Sequence, residues 1–278
     1  MVMDALTFKL HRARQQLRQA RRQSGVRGEA RVVLTLVIGA VARVVVLGAD
    51  RVFDLRRGVR THGRLRNQAE LAPRSLEGDP VYYQPLRPMR WRRMQRSIPI
   101  DRSTATLLDL GSGRGRALIL GAELGFGRLV GVELDERLVR DADENIRRWQ
   151  ARVGAGRPVQ QFTQVVEDAA RYPLPDGPLV ITIYNAFGPA TLRHVLEAVR
   201  DRSRRSPDPV FVAYINPAHE AVFAEFPELT PHSRGRRWSV YRASGFSAPD
   251  LGDVTSALDE AGEGAGEGAG DEESRAVL

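Results

Sequence analysis

Residues Leu107 to Leu120 read LLDLGSGRGRALIL, an aspartate and three alternating glycines set between two apolar runs. Glycine at positions 111, 113 and 115 permits a tight strand-to-helix turn and lets a ligand approach backbone that a Cβ would block. Glu133 stands 20 residues beyond Gly113, after a second apolar run. An acid at that place can accept two hydrogen bonds from a ribose diol, so the pattern points to capture of an adenosine-containing ligand. A phosphate-binding P-loop would need Gly-Lys-Ser/Thr, and Lys9 is the only lysine in the chain. The same absence removes an oxidoreductase built on Tyr-x-x-x-Lys. The loop is G-x-G-x-G, with Arg116 where a dinucleotide fingerprint has glycine. A nicotinamide-dependent oxidoreductase using other residues stays open.

Further candidates lie downstream. Asn185 closes the apolar run from Leu179, and a polar residue at a strand end either holds a reactant or forms a turn. Asn216-Pro217 follows the next apolar run, with His219 just beyond, a base or an exposed helix-start histidine. Cysteine is absent, which excludes disulfides, Cys-ligated zinc, iron–sulfur clusters and thiol nucleophiles. Histidines 11, 62, 194, 219 and 232 show no metal-ligand spacing, and Gly111-Ser112-Gly113 lacks the frame of a hydrolase elbow.

The elements that must position these residues alternate. A short helix is expected over Pro85–Ser97, a strand over Ala105–Leu110, then a helix to Leu124. Strand Arg128–Glu133, helix Glu136–Val153, strand Val159–Val166 and strand Leu179–Asn185 follow. Helix Pro189–Arg202, strand Val210–Asn216, helix Pro217–Phe226 and strand Arg237–Ala243 complete the series. Such alternation means an α/β fold with a mostly parallel sheet covered by helices on both faces.

Upstream the text differs. Residues 1–31 read as a weak amphipathic, Arg-rich helix, and Val32–Leu47 is the most apolar run, broken by Arg43. Its uninterrupted core is about half the ~20 residues a bilayer span needs, which favours a buried or interfacial helix. Asp50 to Pro80 is polar and reads as a cap or linker. Residues 1–100 carry 21 Lys+Arg against 7 Asp+Glu, out of 42 and 34 in the whole chain. This basic third suits nucleic acid or an anionic membrane surface, although an Arg-rich composition alone also produces it. The EGAGEGAGDEE text near the end lacks apolar residues and reads as a solvated acidic tail. The expected organisation is a basic helical extension at 1–80, a ligand-binding domain at 81–249 and a disordered acidic tail at 250–278. The expected location is the cytoplasm, in contact with a membrane surface or free of it.

Asp109-Leu-Gly-Ser-Gly-Arg-Gly115, followed by Val132-Glu133-Leu134-Asp135, resembles class I S-adenosylmethionine-dependent methyltransferases. From about Phe53 to Ala243 the text resembles, more narrowly, small bacterial methyltransferases whose first motif reads like that of Dot1-type lysine methyltransferases. The resemblance implies a Rossmann-like seven-stranded sheet with its last strand antiparallel, and S-adenosyl-L-methionine as cofactor. It implies that Asp109, Gly111, Ser112, Gly113 and Gly115 hold the methionine part and that Glu133 holds the ribose, with Leu134 beside it among the cofactor-binding residues. It also implies that the acid of Val166-Glu167-Asp168-Ala169 meets the adenine amine, Asp168 fitting best. Relatives show Asn or Asp, then Pro, then an aromatic where this chain has Asn185-Ala186-Phe187. Asn185 is therefore the candidate that both contacts the cofactor and orients an acceptor amine beside it. Tyr82 and Tyr83 fall where relatives place an aromatic cover. The methyl acceptor is not named by the sequence. N-methylation of a protein, peptide or small molecule is the favoured form. A non-catalytic nucleic-acid or partner-binding protein that keeps the fold is the rival from another class.

Overall fold

The computed structural model describes residues 48–62, 86–154, 160–184 and 186–243, together with positions 15, 18, 19, 21, 27 and 30–37. Tyr82, Tyr83, Asn185, the acidic tail and most of residues 1–47 lie outside the described residues.

A short apolar run bounded by turn residues is satisfied by a strand covered on both faces, and four such runs build the centre of the sheet. They are β1 (Thr106–Leu110), β2 (Arg128–Glu133), β4 (Leu179–Tyr184) and β5 (Val210–Ile215), of which β1 and β5 are buried along their whole length. β3 (Gln161–Val166) alternates in exposure and forms one edge; β6 (Leu229–Gly235) and β7 (Trp238–Ala243) form the other side. The seven-stranded order is β3-β2-β1-β4-β5-β7-β6. β7 runs antiparallel to both β5 and β6, and the remaining neighbours pair in parallel. The fold is a Rossmann-like α/β sandwich, with the strand number and the reversed strand that the resemblance implies.

The helices are α1 (residues 48–57), α2 (Pro88–Arg96), α3 (Arg116–Glu123), α4 (Glu136–Val153) and α5 (Pro189–Arg205). Helix α4 forms because Leu138, Ala142, Ile146 and Trp149 recur at helical spacing and are buried, while Asp135 caps its first turn by accepting from the Arg137 amide. Helix α5 opens on Pro189, which lacks an amide hydrogen that the first turn would leave unpaired. One core, with Phe53, Trp91, Met94, Leu118, Ile146 and Trp149, joins α1 to α4 to one face of the sheet. A second, with Leu192, Val195, Val199, Phe223 and Phe226, lies on the other face.

Three readings change. Asp50 to Pro80, expected as a cap or linker, opens in α1, whose Phe53 enters the main core together with Val59 just beyond the helix. The helix expected over Pro217–Phe226 is a 3₁₀ helix confined to Glu220–Glu225. Strand β6 went unnoticed because LTPHSRG is polar; it is an edge strand with a bulge between Pro231 and Ser233, a place where proline and polar residues are tolerated. Of the apolar run Val32–Leu47, positions 32–37 are helical with Val33, Leu34, Leu36 and Val37 exposed, and the rest lies outside the described residues. Among the described residues no helix is long and apolar enough to cross a membrane.

Candidate functional site

Strand order reverses between β1 and β4: the chain steps from β1 outward to β3, then returns to β4 and steps the other way. The helices that follow β1 and β4 contribute to opposite cores. A crevice therefore opens at the carboxyl ends of these two strands. The glycine loop fills one lip of it. Gly111 has φ +80°, and a Cβ there would stand 2.3 Å from the Ala186 Cβ in the loop after β4. Only glycine lets the two loops meet. The Gly111 and Ser112 amides donate to the Val132 carbonyl (2.8 and 3.0 Å), and the Gly115 amide donates to the Ser112 carbonyl, which hands the chain to α3.

Asp109 lies at the end of β1, buried, and accepts no hydrogen bond from another described residue. Burial, and secondarily the Glu133 carboxylate, push its carboxyl from 3.8 up to about 7. Glu133, at the end of β2, turns onto its own loops. One oxygen accepts from the Gly113 amide (2.9 Å), the other from the Leu134 and Asp135 amides (2.9 and 3.1 Å). Burial still raises its carboxyl above the ordinary value, against the lowering effect of those amides. Three of about four acceptor positions are thus used by the protein. Leu134 is exposed at the rim. Asp168, beyond β3, accepts from the Ala170 amide through one oxygen and closes a turn there (2.9 Å). The Ser112 hydroxyl donates to Gln164 Oε1 (3.3 Å), and Gly131 makes this reach possible, since a Cβ on it would meet that oxygen at 2.1 Å.

The structure thus brings Asp109, the glycine loop and Glu133 together, with Leu134 and Asp168 beyond the ends of β2 and β3. Asn185 is flanked by Tyr184, the half-buried end of β4, and by Ala186. Asn216, just past β5, has φ +49° and a buried Oδ1 without a partner among the described residues. The His219 amide donates to the Tyr214 hydroxyl (3.3 Å).

Arg116 carries more than the sequence suggested. It is buried, with Nε donating to Thr61 Oγ1 (2.7 Å) and one terminal nitrogen donating to Asp50 (2.6 Å) and to the Leu86 carbonyl (2.9 Å). Its other terminal nitrogen lies 3.5 Å from Asp54. Asp54 in turn accepts from the Thr61 and His62 amides (2.7 and 2.9 Å), and the His62 carbonyl accepts from Arg114 (2.7 Å). Residues 48–62 are therefore bolted to the helix that follows the glycine loop. An arginine opening the apolar text ALIL was the available signal; its acidic partners, more than sixty residues upstream, carried none.

No protein-family model and no curated protein matches the chain. Among solved structures it is similar to an S-adenosylmethionine-dependent methyltransferase, so described, from Methanococcus maripaludis (15% identity, 59% of this chain and 86% of that one, TM-score 0.42). It is similar also to a ribosomal protein L11 methylase from Lactobacillus delbrueckii subsp. bulgaricus (16%, 57% and 76%, TM-score 0.38). A third is a predicted N6-adenine-specific DNA methylase from Listeria monocytogenes (15%, 58% and 52%, TM-score 0.44). The likeness is one of architecture.

Proposed function

We propose that this protein is an S-adenosylmethionine-dependent methyltransferase. The observation that carries the reading is Asp109: a buried carboxyl without a donor among the described residues, at the strand end beside a glycine loop and a second acid. A crevice with two acids whose carboxyls are both raised by burial attracts a ligand bearing ammonium and sulfonium charge and disfavours the two phosphates of a nicotinamide dinucleotide. The residues fit the cofactor in a second respect, because Gly111 leaves a cradle that a Cβ would fill.

In this reading Asp109 holds the ammonium of the methionine part, the remaining acceptor position on Glu133 takes a ribose hydroxyl, and Leu134 covers the adjoining face. The second oxygen of Asp168, the one not used by the Ala170 amide, receives the adenine amine. When bound, S-adenosylmethionine supplies a methyl group activated by the adjoining sulfonium for in-line displacement. An acceptor nitrogen held in line with that methyl would take it and give up its own proton to water. Asn185 orients that acceptor, with Tyr82 and Tyr83 as its cover, and alignment of this kind is worth several kcal/mol, on the order of 7 in favourable cases. Nitrogen is the favoured acceptor atom. The narrower kinship with the small bacterial methyltransferases of similar first motif rests on Asp109 to Gly115. Calorimetry with S-adenosylhomocysteine and with NAD tests the proposal. Binding of the first and none of the second is expected, and tighter binding of NAD would overturn it.

A further inference from the structure

Four arginines meet at the β4–β5 side of the same sheet edge. Arg87 immediately precedes α2 and Arg90 lies in its first turn. Arg236 and Arg237 are the two-residue turn between β6 and β7. The register puts that turn at the carboxyl edge: Trp238 pairs with Ile215, the last residue of β5, and Ile215 pairs with Tyr184, the last of β4. The Arg237 carbonyl accepts from the Asn216 amide (2.9 Å), which fastens the turn to the end of β5. α2 packs against β5 and β7, and its Gln95 donates to Thr182 of β4 (3.1 Å).

Each of these arginines is placed at a local disadvantage. α2 has no acid in its first turn, and Arg87 and Arg90 set positive charge where the helix dipole is already positive. The charged groups acting on Arg90 are Arg87, Arg237 and Arg236, with the Tyr184 hydroxyl opposing them, and burial plus this crowding lower its affinity for its proton. Arg237, the second residue of that turn, has φ +67°, the left-handed region that glycine or asparagine fills at lower cost. Among the described residues none of the four makes an ion pair, whereas Arg92 on the same helix is paired with Glu123 (2.5 Å). Strain and like charge gathered at one place, without an ion pair among the described residues, point to an anionic ligand that would relieve them.

The arrangement favours a strand of phosphates over a single carboxylate. Exposed Arg93 stands three residues beyond Arg90, about 4.5 Å further along α2 and on the adjoining face. Met89, 85% exposed, stands beside them as an apolar surface for a base. Arginine forks match phosphate oxygens in pairs. We propose that Arg87, Arg90, Arg236 and Arg237 form the acceptor wall of the crevice and hold the phosphodiester backbone of a single-stranded nucleic acid. This rests on the methyltransferase reading, and it identifies the acceptor as a nucleic acid.

The test measures fluorescence anisotropy of the full-length chain with a mixed-sequence single-stranded RNA, the same sequence as DNA, and the duplex, from about 50 to about 200 mM salt. Three proteins are compared: the natural chain, R87Q/R90Q/R236Q/R237Q, and R140Q/R147Q/R204Q/R205Q, which removes equal charge from exposed sites elsewhere. The first variant is expected to bind one of the single strands at least ~10-fold more weakly, with the slope of log K against log salt reduced by about 3, since single strands give about 0.7 per phosphate. The control stays within a few-fold of the natural chain. Which strand binds more tightly separates RNA from DNA. Equal binding by the wall variant and the natural chain, preference for duplex, or loss confined to an acidic peptide probe such as polyglutamate would each overturn the proposal. Calorimetry with S-adenosylhomocysteine on all three proteins reports folding and the cofactor reading separately. Failure of the natural chain to bind it sinks that reading, whereas a lost distinction between the variants sinks this one.

Discussion

Asp109→Asn isolates the cost of ionising the carboxyl that the crevice buries. The folded-state carboxyl stands at about 7 against an ordinary 3.8, so in the cofactor-free protein it favours the protonated form. A group raised in this way contributes stability that is fully present below about pH 3.8 and is lost as pH rises through about 7. The loss amounts to about 3 pH units at 1.36 kcal/mol each, roughly 4 kcal/mol, and relaxation around the ionised group brings it to between about 2 and 4. Asparagine has the shape of the protonated acid and does not ionise. The variant should match the natural protein near pH 4 and exceed it by about 2–4 kcal/mol near pH 8, while binding S-adenosylhomocysteine ~10- to 100-fold more weakly for want of a charged hydrogen bond. Urea-unfolding titrations of both proteins at intervals between about pH 4 and pH 8, without ligand, give the difference curve. A flat curve, or a variant less stable than the natural protein near pH 8, refutes the reasoning, because Asp109 would then be partnered or solvated in the free protein.

Three other substitutions follow from the same geometry. Glu133→Ala removes a ribose acceptor and the brace on the Gly113, Leu134 and Asp135 amides, so calorimetry should show S-adenosylhomocysteine affinity falling about 10- to 100-fold in a chain whose far-UV spectrum is unchanged. Gly111→Ala forces a Cβ into the Ala186 side chain at φ +80° and should cost about 1–3 kcal/mol in urea unfolding, part of which Ala186→Gly restores. Arg116→Met strands Asp50 and Asp54 in the interior and should cost about 3–5 kcal/mol; adding Asp50→Asn and Asp54→Asn should recover much of it in the same unfolding assay.

The centre of the sheet and its glycine loop were legible in the sequence because both are local. The runs at Ala105–Leu110, Arg128–Glu133, Leu179–Asn185 and Val210–Asn216 advertise burial through their own composition. The glycines of Gly111-Ser-Gly-Arg-Gly115 advertise a backbone that a side chain would obstruct, and φ is positive at all three. The position of Glu133 opposite the loop followed from one strand and one helix between them, a spacing the α/β pattern fixes. What escaped was set by partners distant along the chain. Polar β6 becomes a strand because it pairs with β7, whose other edge is taken by β5. Arg116 is a surface residue by type and a buried one in fact, because Asp50, Thr61 and the Leu86 carbonyl arrive from residues 48–86 to satisfy it. Glu133 likewise has the right place but a use that only folding reveals, its oxygens turned to three amides. The raised carboxyl of Asp109 has the same origin: no spacing rule encodes how completely α3 and the neighbouring strands exclude water from one side chain, and exclusion of water is what moves its proton.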